Sequence, residues 1–238
     1  MSFKHFIITR FNLSKRWDKD KFGNATLDST WLTDRYRLFE DFCLPSIKGQ
    51  TSKNFEWWVY FDSETDDFYK NKNDDLNKEF PNFKPKYENS YDDFQNRMHH
   101  DVWKNALKEE VDYILTTRLD NDDVLAKDTV ELLQRFEFKA PYLLEIPFGY
   151  KLEIGVNPKL RKSYSILNPF ISLYEKVKSD EPIKSVYAFE HDKWDSIKSI
   201  KASEKPQWIQ IIHNKNVFNK ANGEELVPFG LSNRFIFN

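Results

Sequence analysis

Asp120, Asp122 and Asp123 crowd into four positions of "YILTTRLDNDDVLAKD", directly after an apolar run. Like charges this close repel one another and resist desolvation, so a cation or ample water must accompany them. Asp120 and Asp122, one residue apart, are hard oxygen donors suited to Mg²⁺ or Mn²⁺ that also binds substrate phosphates. An EF-hand is the competing motif, and it fails on position. Counted from Asp120, the fifth residue is Val124, and Leu125 stands sixth where glycine is required. The alternative is a solvated strand-to-helix turn with Asp128 as a helix cap. Arg118, just upstream at the end of "ILTTR", favours a metal and nucleotide site.

Two further apolar runs end in polar groups. "HFIITRF" closes on Thr9 and Arg10, and "NFEWWVYFD" closes on Asp62. In an open α/β sheet, ligands sit beyond the carboxyl ends of the strands, so polar residues at neighbouring ends would meet in one site. The six glycines build neither G-x-G-x-x-G nor G-x-x-x-x-G-K-[ST]. A nucleotide here would need a cation and basic side chains in place of a glycine-rich cradle.

The elements that must position these residues are legible from periodicity. Leu32, Tyr36, Phe39, Phe42 and Cys43 recur at helical spacing, with Pro45 near the end. "SETDDFYKNKNDDLNKEF" reads as a charged helix or loop and "FKPKYE" as a short strand. "SYDDFQNRMHHDVWKNALKEE" opens on a Ser/Asp capping pattern and aligns Phe94, Met98, Val102 and Leu107 on one helical face. "KDTVELLQRFEF" is a helix with Val130, Leu133 and Phe136 inward. "PYLLEIPFGYKLEI" reads as a hairpin, and "WIQIIHNKNVF" contains a late strand. Trp57 and Trp58, adjacent in a strand, should pack on opposite sides of the sheet. Alternating strands and helices predict an α/β fold, with a mostly parallel central sheet and helices on both faces. No Gly/Ser linker divides the chain, so a single domain is expected.

Composition narrows the function. A net charge of −2 gives no basic field to attract nucleic acid. The one cysteine, Cys43, excludes an internal disulfide framework and a cysteine-cluster zinc site, and its apolar setting reads as an inert buried thiol. With no run of about 18 apolar residues and no apolar leader in "MSFKHFIITRF", the expectation is a cytoplasmic chain, at most peripheral at a membrane.

"DYILTTRLDNDDVL" resembles the strand and D-x-D motif of GT-A glycosyltransferases, and "WVYFDSETDD" resembles their second strand with its base-binding acid. "FIITRFNL", "RLFEDFCLPSIKGQTSKNFEWWVYFD", "TTRLDNDDVL", "NPFISLYE" and "WIQIIHNKNV", in that order, are similar to the putative rhamnosyltransferase family. The resemblance implies a single GT-A-like domain over 1–238, with a nucleotide-binding half at 1–125 and an acceptor-side half at 126–238. It implies a nucleotide-diphosphate sugar donor, a divalent cation (Mn²⁺ or Mg²⁺), and transfer to a hydroxyl of a glycan or lipid-linked glycan. Rhamnose is the sugar the family name carries, and inversion is the expected stereochemistry.

Carried over by position, Thr9 and Arg10 line the nucleotide pocket and Asp62 binds the base. Asp120 faces ribose or metal, Asp122 ligates the metal, and Arg118 and Arg97 face the donor. His213, after "WIQII", stands where many GT-A enzymes supply a further metal ligand, with Asn216 assisting. Imidazole suits Mn²⁺ better than Mg²⁺. For the catalytic base, "YAFEHDKWD" offers His191 and Asp192, with Glu190, Glu145 and Glu175 as further options. Two rivals remain. A nucleotidyltransferase would show a glycine- and lysine-rich N-terminal loop, of which "TRFNLSKRWDKDKFGN" has only the basic half. A non-catalytic nucleotide-sugar-binding module of the same fold is the other.

Overall fold

Strands buried on both faces need unbroken apolar runs, and "HFIIT", "WWVYF" and "YILTT" supply them. The computed structural model describes residues 2–15, 29–136, 141–194, 197–213, 222–226 and 233–238. In it these runs, with "FKPKYE", become β1 (Phe3–Arg10), β2 (Glu56–Asp62), β3 (Phe83–Glu88) and β4 (Tyr113–Arg118). β1 pairs parallel with both β2 and β4, and β2 pairs parallel with β3, so their carboxyl ends share one rim. Beyond β4 the seven-stranded sheet continues through β9 (Ser172–Lys176), β6 (Tyr142–Glu145) and β10 (Ser199–Lys201). β9 runs antiparallel to both of its neighbours. The α/β class expected from the sequence, with a mostly parallel central sheet, is the architecture observed.

Period-two alternation sorts the side chains onto two cores. Ile7, Trp57, Val59 and Phe61 face α1 (Ser29–Leu38), a π-helical turn Phe39–Cys43, α2 (Leu44–Lys48) and α5 (Thr129–Gln134). α3 (Asp67–Glu79), capped by Asp66, flanks β3 on the same face. Phe6, Ile8, Trp58 and Tyr60 face Phe94, Met98, Val102 and Ala106 of α4 (Tyr91–Lys108). Ser90 caps α4 by accepting from the Asp93 N–H at 3.1 Å, the capping pattern read in the sequence. Asp128 holds the N-cap position of α5 without a capping bond, since its carboxylate instead accepts from Arg234 Nη2 at 2.6 Å. Among the described residues, no helix is long and apolar enough to cross a membrane.

The expected hairpin over "PYLLEIPFGYKLEI" does not form. β6 enters the central sheet between β9 and β10, while β7 (Phe148–Glu153) turns into a second, five-stranded sheet. There β7 pairs antiparallel with β8 (Lys159–Tyr164) and parallel with β11 (Trp208–Ile212). β5 (Val124–Leu125) and β12 (Glu225–Leu226) form its edges. Central pairing lets Leu143 and Leu144 be buried completely, which an isolated two-stranded ribbon could not do. Gly149 allows β7 to lie against Trp208, because a Cβ there would fall 2.1 Å from the indole.

One polar chain crosses the core. Gln134 Nε2 donates to His5 Nδ1 at 3.1 Å, so His5 Nε2 carries the proton and donates to Thr117 Oγ1 at 2.8 Å. Thr117 in turn meets Ser172 Oγ at 2.7 Å. Burial lowers the His5 pKa to about 3, so the imidazole stays neutral in the fold. The unfolded chain takes up this proton below its ordinary pKa of 6.5 and the native state does not. Stability from His5 is therefore complete above pH 6.5 and is lost as pH falls toward 3, at about 1.4 kcal/mol per pH unit. We expect the gap in unfolding free energy between wild type and His5→Gln to shrink by about 2 kcal/mol from pH 7 to pH 5. Urea melts at both pH values measure it, and a constant gap would contradict a neutral His5.

Candidate functional site

The D-x-D turn lies at the end of β4 and is not a solvated loop. Asn121, Asp122 and Asp123 are 4%, 4% and 1% exposed. Each is tied to a different element. Asn121 Nδ2 donates to the Phe11 carbonyl at 3.1 Å, linking the turn to the end of β1. Asp123 Oδ1 accepts the Ile211 N–H at 2.9 Å, linking it to β11. Burial, with Asp122 and Asp120 close by, raises the Asp123 pKa well above the carboxylate range. The antiparallel register of β5 with β11 (Val124 against Ile209, Leu125 against Trp208) then carries the end of β11 back past the turn. His213 arrives there with Nε2 2.9 Å from Asp122 Oδ2.

Asp122 has a second partner that the sequence did not suggest. Arg35, on α1, donates from Nη1 to the same Oδ2 at 2.8 Å and to Asn121 Oδ1 at 3.2 Å. Its guanidinium stacks 5.0 Å from the Trp31 ring centroid. Burial alone would push the Asp122 pKa up, but the Arg35 charge and the His213 hydrogen bond outweigh it and hold the pKa low. A helix position among Leu32, Tyr36 and Phe39 gives no sequence signal for this role, because the acid it meets lies 87 residues away.

Asp120 is the half-buried member of the turn. Its Oδ1 lies 3.6 Å from Arg10 Nη2 and 3.9 Å from Arg118 Nε, close enough to feel both charges and too far for a hydrogen bond. Arg10 and Arg118 flank Tyr187, with centroid distances of 5.1 and 5.2 Å, and Arg10 also lies 5.7 Å from Tyr91. Glu190 stands 3.7 Å from Arg118 Nη1. Arg10 Nη1 and Arg118 Nε are buried and meet no acceptor among the described residues. Burial works against the Arg10 charge, but Tyr187, Asp120, Tyr91 and Glu190 raise its pKa. Two buried guanidiniums with idle donors make a site suited to an anion.

Other expected residues sort differently. Thr9 lies behind the site: it is fully buried, and its hydroxyl accepts from Trp57 Nε1 at 2.9 Å, because alternation puts it on the face opposite Arg10. Asp62 stands at the end of β2 with both oxygens engaged, Oδ1 by the Glu64 N–H at 2.9 Å and Oδ2 by the Ser14 N–H at 3.1 Å. It braces the segments that follow β1 and β2. Arg97 is paired with Glu88 at the end of β3 (3.1 Å), away from the β1–β4 cluster. Trp208 is core, stacked 4.7 Å from Phe170 and donating to the Ile146 carbonyl. Asn216 falls outside the described residues.

Around Tyr187 and His191 two buried glutamates anchor loops. Glu175 accepts the N–H groups of Lys184 and Ser185 at 2.8 and 2.9 Å, and Thr116 Oγ1 accepts that of Val186 at 2.9 Å. Together they set Tyr187 against the two arginines. Glu145 Oε2 accepts the Leu167 N–H at 2.9 Å, holding Leu167 at φ +50°. The Leu167 carbonyl accepts from His191 Nδ1 at 2.5 Å. Asp192 is exposed on the same turn.

The donor set at the turn fits a divalent cation. Asp122 and His213 place a carboxylate oxygen and an imidazole nitrogen 2.9 Å apart, the separation of adjacent ligands around an ion with bonds of about 2.1 Å. Among the described residues, no group of three or more His, Cys, Asp or Glu side chains gathers as a cage. Further ligands would come from phosphate oxygens or water.

Residues 8–225 match the model of a family described as "Putative rhamnosyl transferase". Among solved structures, S. aureus TarS 1–349 with UDP-GlcNAc is similar at a TM-score of 0.48 and 14% identity, covering 91% of this chain and 60% of that one. The same TarS segment with UDP gives a TM-score of 0.45 at 14% identity, covering 89% of this chain and 61% of that one. A "putative nucleotide-diphospho-sugar transferase" from Desulfovibrio desulfuricans G20 gives 0.37 at 11% identity, covering 89% and 80%. The chain thus spans about 60% of the TarS 1–349 structures. Comparison with curated proteins gives no match.

Glu175→Ala leaves two backbone donors without their carboxylate acceptor, and we expect it to cost about 2–4 kcal/mol. Glu175→Gln should recover part of this, with one amide oxygen still accepting. Denaturant melts of the three proteins decide it, and an alanine variant as stable as wild type would remove Glu175 as the anchor.

Proposed function

The chain belongs to the putative rhamnosyl transferase family, and from that membership and the site geometry we propose a metal-dependent, inverting glycosyltransferase. It moves a sugar, rhamnose being the family's, from a nucleotide-diphosphate donor to a hydroxyl of a glycan acceptor. One observation carries the reading: the buried, unsatisfied guanidinium donors of Arg10 and Arg118 at the sheet rim. A donor diphosphate supplies the acceptor oxygens they lack, and a charge-assisted bond there gains strength from low exposure. Asp62 and the loops it braces would receive the nucleoside, with Arg97 and Glu88 beyond.

A divalent cation, when bound, would be held by Asp122 and His213 beside Asp120, and would stabilise charge on the leaving diphosphate. The chain's own residues do the remaining work. His191 Nδ1–H donates to a carbonyl, which can only accept, so in the neutral ring Nε2 carries a free lone pair. That nitrogen takes the proton of the acceptor hydroxyl as its oxygen bonds the anomeric carbon and the bond to the diphosphate breaks. The Leu167 carbonyl keeps the ring aligned and stabilises the imidazolium that results. A single base with no protein nucleophile corresponds to inversion. Glu175 and Glu145 are committed to backbone N–H groups and Glu190 stands against Arg118, which supports His191 as the base, with Asp192 exposed beside it.

The test is nucleoside-diphosphate release from UDP-, dTDP- and GDP-sugars with Mn²⁺ and a hydroxyl acceptor. Chelation should abolish it. Pyrophosphate release would indicate a nucleotidyltransferase, and donor binding without turnover would indicate a binding module. We expect His191→Ala to lower kcat by about 10²–10⁴-fold while leaving donor affinity within a small factor. Steady-state kinetics beside donor titration checks this, and an unchanged kcat would move the base elsewhere.

A further inference from the structure

The Asp122 carboxylate is already in use. Its Oδ2 accepts from Arg35 Nη1 at 2.8 Å and from His213 Nε2 at 2.9 Å, and the Arg35 and Asp122 side chains are only 12% and 6% exposed. A nearly buried carboxylate stripped of its cation is strongly destabilising, so Arg35 stabilises the turn in the absence of ligand. The same guanidinium stands where a divalent ion bound to Oδ2 would be repelled by it. Asp122 and His213 form a two-donor set, which makes a weak site for a bare ion even without a competitor.

Arg35 has a way out. It lies on α1, stacked on Trp31 at 5.0 Å, and among the described residues its other hydrogen bond is the 3.2 Å contact to Asn121. A diphosphate drawn to the Arg10 and Arg118 side of the turn would offer that guanidinium new anionic oxygens. We infer that Arg35 is a placeholder cation. It neutralises Asp122 in the free protein and passes to the donor diphosphate as the divalent ion takes the carboxylate. Metal and nucleoside diphosphate therefore bind with positive coupling, and by linkage each raises the affinity of the other equally. The inference rests on the transferase reading for its diphosphate but not for the competition at Asp122.

Mn²⁺ binding to the full chain, followed by electron paramagnetic resonance of the free ion, tests it directly. Wild type should bind Mn²⁺ alone weakly, and at equal free Mn²⁺ should bind at least tenfold more tightly with UDP, dTDP or GDP present. Arg35→Gln should bind Mn²⁺ alone at least tenfold more tightly than wild type and show reduced coupling. Arg35→Met, which keeps an apolar stem on Trp31, serves if Arg35→Gln does not fold. Asp122→Asn in the Arg35→Gln background should remove the gained affinity, which locates it at this carboxylate. Equal Mn²⁺ affinity in wild type and the Arg35 variants overturns the inference, as does tight binding of Mn²⁺ alone by wild type. The Mn²⁺-only comparison needs no nucleotide, so failure of every nucleoside diphosphate to bind would count against the transferase reading alone.

Discussion

The structure depends on neutralising negative charge at the carboxyl end of β4. Asp120, Asp122 and Asp123 sit in a turn that is mostly out of water, where uncompensated carboxylates would be untenable. Each finds its own answer. Asp122 meets Arg35 and His213, Asp120 lies between Arg10 and Arg118, and Asp123 is driven toward its neutral form while holding the Ile211 N–H. Remove these compensations and the turn, with the site it carries, has no reason to stay buried.

That requirement explains why distant segments converge here. The helix after β1 supplies Arg35, the strand end of β1 supplies Arg10, and the second sheet supplies His213 through its pairing with β5. The second sheet is thus more than a flank of the core. Its β11 is seated by Trp208 against Gly149 and Phe170, and so brings an imidazole to the turn. Packing and electrostatics act on the same elements.

The region around Tyr187 and His191 is organised by a different device, carboxylates that hold loop backbone. Glu175 sets the loop that lays Tyr187 between two guanidiniums, and Glu145 holds the Leu167 peptide whose carbonyl orients His191. Both acids looked like candidate bases in the sequence. Their burial beside unpaired N–H groups gives them structural work, and the imidazole they help position inherits the chemical role in the proposed mechanism.

The sequence by itself determined the parallel strands of the first half, the helices between them, the alternation that sorts Ile7 and Trp57 from Phe6 and Trp58, and the acids and arginines at three strand ends. Those features follow from local periodicity and from the rule that parallel strands end together. It grouped Thr9 with Arg10, which strand alternation puts on opposite faces, and it read β6 and β7 as a hairpin, because adjacency in sequence does not reveal which sheet completes a strand's hydrogen bonds. It had no signal for Arg35 or Tyr187. Only the tertiary structure decided which cation meets which acid. Charge pairing acts through a few ångströms of space between segments tens of residues apart, and nothing in local pattern records that distance.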